Sequence, residues 1–244
     1  MNTTATAAGS APASKGLLAR FIGIITAPKD TFASVVAAPK WFGILAVSAV
    51  LIAFFTALPM TTDAGRQAAI DQQVQQRQAF GIETDDATYA RIEQMSKIMP
   101  YVTAGSVLVF SPIMVLVIGG ILFAIFNAAL GGEASFKQVL AIVTHAGVIS
   151  TVSAVFSGII NYFRGAVGSV ANLGALLPML PEKSFLASLL GAIDVFLIWW
   201  IVVLAMGLAV LYRRRTQPIA ISLLAVYAVI AIVIAVVKSR AGGA

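Results

Sequence analysis

Apolar residues in this chain fall in long blocks, and polar ones collect between them. Five blocks, at residues 41–58, 100–130, 136–160, 184–212 and 218–237, are built mainly of Leu, Ile, Val, Ala, Phe and Gly. A helix needs ~20 such residues to cross ~30 Å of hydrocarbon at 1.5 Å per residue. Five transmembrane helices are therefore predicted. Ahead of them, residues 15–40 are amphipathic. Leu17, Leu18, Phe21, Ile22 and Ile25 share a helical face with Lys15 and Arg20 off its centre, and Pro28 opens a second short helix carrying Phe32, Val35 and Val36. These helices are too short to span; they either lie in the headgroup region or pack on the inner face of the bundle. Residues 1–14 predict a disordered tail, 161–183 a Gly- and Pro-containing loop, and 238–244 a short C-terminal tail. The one long polar stretch, 60–99, predicts two helices hinged at Gly81 that rest on the bundle through Ile92, Met95 and Met99. The expected fold is all-α: a five-helix integral membrane bundle with an amphipathic cytoplasmic N-terminal segment and an extracytoplasmic helical hairpin.

The third block departs from plain hydrophobicity. Ala146, Ser150, Ala154 and Gly158 recur every fourth residue, beside Thr144, His145, Gly147, Thr151 and Ser153. Small residues let helix backbones approach closely in a bilayer, where lipid offers no competing hydrophobic drive. This helix is therefore expected at the centre of the bundle. In the second block Pro112 and the pair Gly119-Gly120 predict tilt or a kink. Broken helices line transport paths in some proteins, while in others neighbouring helices satisfy the freed carbonyls.

Composition sharpens the class. Of 244 residues, 59% are hydrophobic and 11% charged, against about 25% charged in globular chains, and mean hydropathy is +0.95. The net charge of +6 is unevenly placed. Lys15, Arg20, Lys29, Lys40, Lys137 and the triple Arg213, Arg214, Arg215 fall on one side of the predicted spans; the acidic 60–99 segment falls on the other. The positive-inside rule then puts the N-terminus in the cytoplasm and the C-terminus outside, with Lys40-Trp41 and the three arginines as interfacial anchors. No basic stripe interleaved with aromatics supports nucleic-acid binding. With no cysteine, disulfides, thiolate metal sites and cysteine nucleophiles are excluded.

No motif for phosphate cradling, a zinc protease or a nucleophile elbow occurs, so no enzyme activity, cofactor or metal site is expected. The acidic pair Asp85-Asp86 fits the first turn of a helix, where the helix dipole favours negative charge. Intramembrane ionisable groups remain as candidates, and two qualify: His145 and Asp194. Counted from Lys137, His145 lies ~12 Å deep. Counted from Arg213, Asp194 lies ~28 Å up, whereas counting from Lys183 puts it ~16 Å deep and level with the histidine. The triple arginine is the harder anchor and separates the two. Asp194 then reads as an interfacial carboxylate in the early turns of a helix, and His145 as a neutral ring bonded across helices.

PKDTF and APKW in the inner amphipathic segment, GGEASFKQVLAIV leading into the third block, and AIDVFLIWWIVVLAMGLAV in the fourth resemble the Yip-one domain family of Ypt/Rab-interacting membrane proteins, in its bacterial branch. The likeness runs from about Leu17 to Val237. It implies five spans with a cytoplasmic N-terminus, here in a bacterial inner membrane. Eukaryotic members bind prenylated Rab-type GTPases and act in vesicle traffic. The cytoplasmic N-terminal region is shorter in this chain, so GTPase binding is not carried over. The expected role is a membrane scaffold whose partners are the lipid bilayer, other membrane proteins or a second copy. The alternative is a small-solute or ion transporter built on the polar third span.

Overall fold

The computed structural model describes residues 16–79, 81–176 and 184–241. The predicted tail at 1–14 lies outside them, as do Pro178 and Pro181 of the predicted loop. In chain order the helices are α1 (Leu17–Thr26), α2 (Pro28–Ala37), α3 (Phe42–Ala57), α4 (Asp63–Ala79), α5 (Asp86–Met95), α6 (Met99–Phe123), α7 (Phe136–Ala146), α8 (Val148–Arg164), α9 (Phe185–Ala192), α10 (Val195–Leu211) and α11 (Thr216–Ala241). Leu58–Thr61 adds a 3₁₀ turn to α3, and Ala124–Ala129 continues α6 as a π-helical turn. Among the described residues four stretches are long and apolar enough to cross a membrane: Phe42–Thr61, Met99–Ala129, Phe136–Arg164 and Thr216–Val237. α10 is apolar but shorter, 17 residues, or ~25 Å.

The stretch Phe136–Arg164 is central. Of its most apolar window 61% is buried, against 11% for that of Met99–Ala129. Ser135 and Gln138 start it with a reciprocal capping box: each side chain takes the other's backbone N–H, at 3.3 and 2.9 Å. Gly147 separates α7 from α8. The core around it gathers Ile142, Val143, Val148 and Ile149 with Phe32 of α2 and Val203, Leu204 and Leu208 of α10. Close approach is set by Gly207, where a Cβ would stand 2.6 Å from Ile142 and 3.0 Å from the Phe32 ring.

The two N-terminal helices pack on the bundle in different ways. α2 is wedged into the core through Phe32 and Val35, both fully buried. α1 packs its polar side inward: Arg20 is only 3% exposed and donates to the Lys40 carbonyl at 3.4 Å, whereas Leu18 is 70% and Ile22 50% exposed.

Two elements differ from the sequence prediction, the fourth block and the C-terminal tail. The fourth block is two helices rather than one, because Asp194 adopts an extended backbone and caps α10, as aspartate favours. α6 stays helical through Pro112, and a π turn follows it at Ala124–Ala129. Gly119 packs against Leu140 of α7, while a Cβ on Gly120 would meet nothing within 4 Å. The predicted tail from 238 is helical as far as Ala241. In the polar segment α4 and α5 form on either side of Gly81 (φ 70°), and Asp85 is the N-cap of α5, accepting from the Thr88 N–H at 2.9 Å. Ile92 is buried and Met99 partly so, but Met95 is exposed.

Candidate functional site

In a lipid-facing bundle the informative places are those where polar groups gather, since each unsatisfied group costs free energy in hydrocarbon. Two places stand out, at different levels.

The first is His145. Its ring is fully buried, with Nδ1 2.7 Å from the Ala141 carbonyl. A carbonyl only accepts, so that contact requires the proton on Nδ1 and leaves Nε2 as a bare acceptor. Nε2 and the neighbouring Thr144 hydroxyl are buried without a hydrogen-bond partner among the described residues. Arg20 of α1 is within electrostatic reach of the ring. The bond expected across helices is therefore absent: the ring turns back onto its own helix, four residues earlier, where a carbonyl is always within reach.

The second is a crevice of about 340 Å³ between α3, α8 and the segment that follows α8. Ser150, Ser153, Ser157 and Asn161 line it from α8, Thr56 from α3, Gln72 from α4, and Ser169 and Asp194 close its end. Asp194 is largely occupied. One carboxylate oxygen takes the N–H groups of Phe196 and Leu197 at 2.8 and 3.1 Å, and the other takes the Ser169 hydroxyl. Its own N–H donates to the Tyr227 hydroxyl of α11 at 3.1 Å, which in turn donates to the Ala192 carbonyl at 2.5 Å. Ala171 and Leu173 complete this joint by bonding to Val195 and Ile193. The aspartate thus holds a helix break together.

The two acid–base candidates do not meet. Ile142 and Gly207 touch across α7 and α10, giving a common level. His145 stands three residues beyond the one and Asp194 thirteen residues beyond the other, so the two differ by ~15 Å along the bundle. Among the described residues no group of three His, Cys, Asp or Glu could hold a metal ion. The crevice can bind a polar group through hydroxyls and amides, but it has no acid–base pair for proton transfer.

The stripe of small residues is only partly a packing surface. Ala146 and Gly158 are buried, Ala154 is half-buried, and Ser150 is exposed to the crevice. The expectation that Ser150 packs against a neighbouring helix is corrected here. Four residues turn a helix by ~400°, so positions 146, 150, 154 and 158 drift ~120° around the helix axis from the end of α7 along α8 and face different surroundings. Positions 150, 153, 157 and 161 stay within ~80° of one another, and they form the polar face. That 3-4-4 spacing of Ser, Ser, Ser and Asn was the available signal in the sequence. Pro112 lies half-buried in α6, away from both places. Of the anchors, Trp41 caps α3 against the Phe42 ring, and Arg213, at φ 52°, turns the chain between α10 and α11.

Comparison with known proteins adds a family. The sequence profile described as the Yip1 domain matches residues 22–237. The membrane protein YknW of Bacillus subtilis (strain 168) is 26% identical over 196 residues, which cover 76% of this chain and 75% of that protein. No solved structure matches.

Proposed function

The chain belongs to the Yip1 domain family, and on that premise we propose that this multi-pass membrane protein is a non-enzymatic organiser of the bilayer. In this reading α10 is the fifth span, the N-terminus is cytoplasmic, the C-terminus lies outside, and the membrane is a bacterial inner membrane. α1 and α2 shape one leaflet and gather membrane-protein partners or further copies of the chain. GTPase binding is not part of the proposal.

One observation carries the reading: α1 turns Arg20 into the bundle and Leu18, Ile22 and Ile25 away from it. An amphipathic helix of this kind sinks its apolar face ~5–10 Å into the boundary between headgroups and acyl chains. Because α2 is anchored by Phe32 and Val35, the displaced area is fixed to the bundle and adds to one leaflet only. Reconstitution into vesicles tests this by electron cryomicroscopy. The native protein should narrow the vesicle diameter relative to protein-free vesicles, and Leu18→Glu with Ile22→Glu should abolish the effect while the bundle stays folded. Equal diameters for native and variant protein would overturn the reading. Purification in mild detergent tests the partner component through a stable stoichiometric complex or dimer.

The crevice favours a second reading, small-solute transport, because it offers hydroxyls and two amides in the outer half of the bundle. Below it, however, Ala146, Val148 and Ile149 are fully buried. Solute movement above that of empty vesicles would favour this alternative.

A further inference from the structure

At the end of the bundle opposite the crevice, α6 and α11 diverge around a groove of about 600 Å³. Its walls are apolar, with Leu122, Ile125 and Phe126 on one side and Ile219 and Leu223 on the other. One end is not: Arg214 and Arg215 stand there, and none of the described residues lining the groove is acidic. The groove follows α11 from Pro218 to Val226, a length of ~12 Å. The first turn of α11 adds the partial positive charge of a helix start to the same rim.

A second observation bears on the wall itself. Ile125 and Phe126 belong to the π-helical turn Ala124–Ala129, a rare geometry that recurs at functional sites. The turn is held in place. Asn127 accepts from the Tyr212 hydroxyl at 2.7 Å and donates to the Ala134 carbonyl at 2.6 Å, and Arg214 donates to the Leu130 carbonyl at 3.3 Å. The last bond ties the Arg214 guanidinium to the rim while most of its five N–H donors stay available. Planar guanidinium groups pair with phosphate oxygens through two parallel hydrogen bonds.

We propose that this groove seats one anionic phospholipid, with an acyl chain along α11 and its phosphate on Arg214 and Arg215. An apolar slot in a lipid-facing wall is complementary to an acyl chain, and two arginines at its mouth are complementary to a headgroup with net negative charge. A zwitterionic lipid fits the slot but gains less at the mouth. The site is independent of the leaflet-shaping role assigned to α1, which lies on another part of the bundle.

The test uses the full chain, delipidated in detergent and titrated with phosphatidylglycerol or with phosphatidylcholine of the same chains. Bound lipid is counted by native mass spectrometry. One phosphatidylglycerol should be retained in preference to phosphatidylcholine. Arg214→Gln with Arg215→Gln should weaken that binding about 30-fold, from about fivefold for each basic residue. Arg213→Asn removes a neighbouring charge outside the groove and tolerates the left-handed backbone, so it should leave binding intact. Ser222→Phe fills the exposed side of the slot and should displace the lipid with every arginine in place. Equal weakening by Arg213→Asn would reduce the effect to general surface attraction and overturn the proposal. So would equal retention of phosphatidylcholine, or unchanged binding in the Ser222→Phe variant. A lipid-free dimer that Ser222→Phe dissociates would assign the groove to a second copy of the chain and overturn it as well.

Discussion

Replacing Gly158 with alanine tests a close backbone approach between α3 and α8. A Cβ built there would stand 2.9 Å from the carbonyl carbon and Cβ of Phe55, and closer still to the Phe55 oxygen. Carbon atoms pack comfortably at ~3.5–4.0 Å, so α3 and α8 would have to separate by ~0.6–1 Å. The obstacle is backbone, which has no rotamer to change. Overpacking of this kind costs ~1–3 kcal/mol, offset by the ~0.8–1.0 kcal/mol by which alanine is the better helix former. Gly120 supplies the control: it too is helical and in an apolar span, but its added Cβ meets nothing. Gly120→Ala should show the propensity gain alone. The two variants should therefore differ by ~1–3 kcal/mol, or ~2–12 °C at ~2–4 °C per kcal/mol. Thermal unfolding followed by the fluorescence of Trp41, Trp199 and Trp200 in one detergent measures this directly. If Gly158→Ala unfolds at or above the temperature of Gly120→Ala, α3 and α8 are not in backbone contact, and the reasoning fails.

Three further outcomes are expected. Reporter fusions after Gln217 and within residues 72–78 should be cytoplasmic and external respectively; the reverse pattern would refute the N-in orientation. His145→Leu should keep most of the thermal stability, because it removes an unpartnered buried nitrogen, whereas His145→Ala should lose ~2–5 kcal/mol as a core truncation; equal losses would point to a role for the ring's polar atoms. The Thr88 hydroxyl, and then its backbone N–H, hold the Asp85 carboxyl below the ordinary aspartate range. A depressed folded pKa means that the cap is fully formed above the unfolded value and is lost as pH falls through the folded one. The protection of the Thr88 amide, its exchange rate taken against the intrinsic rate at each pH, should therefore fall only in acid, and a loss of protection that begins near neutrality would contradict the assignment.

Much of this architecture was legible in the sequence, since block length alone separates a spanning helix from a polar one. The central position of Phe136–Arg164 followed from small and polar residues that lipid does not reward. Two things were not legible. The break at Asp194 depends on partners from Ala171–Leu173 and from Tyr227, up to 33 residues away, and no local pattern announces them. The face of the crevice was hidden by the more conspicuous four-residue repeat, which drifts around the helix axis while the Ser150, Ser153, Ser157 and Asn161 set does not. α1 illustrates a third limit. Its sequence shows two faces, but only the packed bundle tells which one is covered.

The Tyr227 hydroxyl has a consequence for the order of assembly. The joint between α9 and α10 leaves an N–H at Asp194 and a carbonyl at Ala192, and both are met by a side chain synthesised some 33 residues later. The upstream half of the joint, from Ala171 and Leu173, is available as soon as α10 leaves the ribosome; the downstream half waits for α11. Until then two backbone groups face hydrocarbon or require water to follow them. α11 is therefore the latch that closes the break between α9 and α10. A chain with Tyr227→Phe keeps every apolar block and still leaves that joint open.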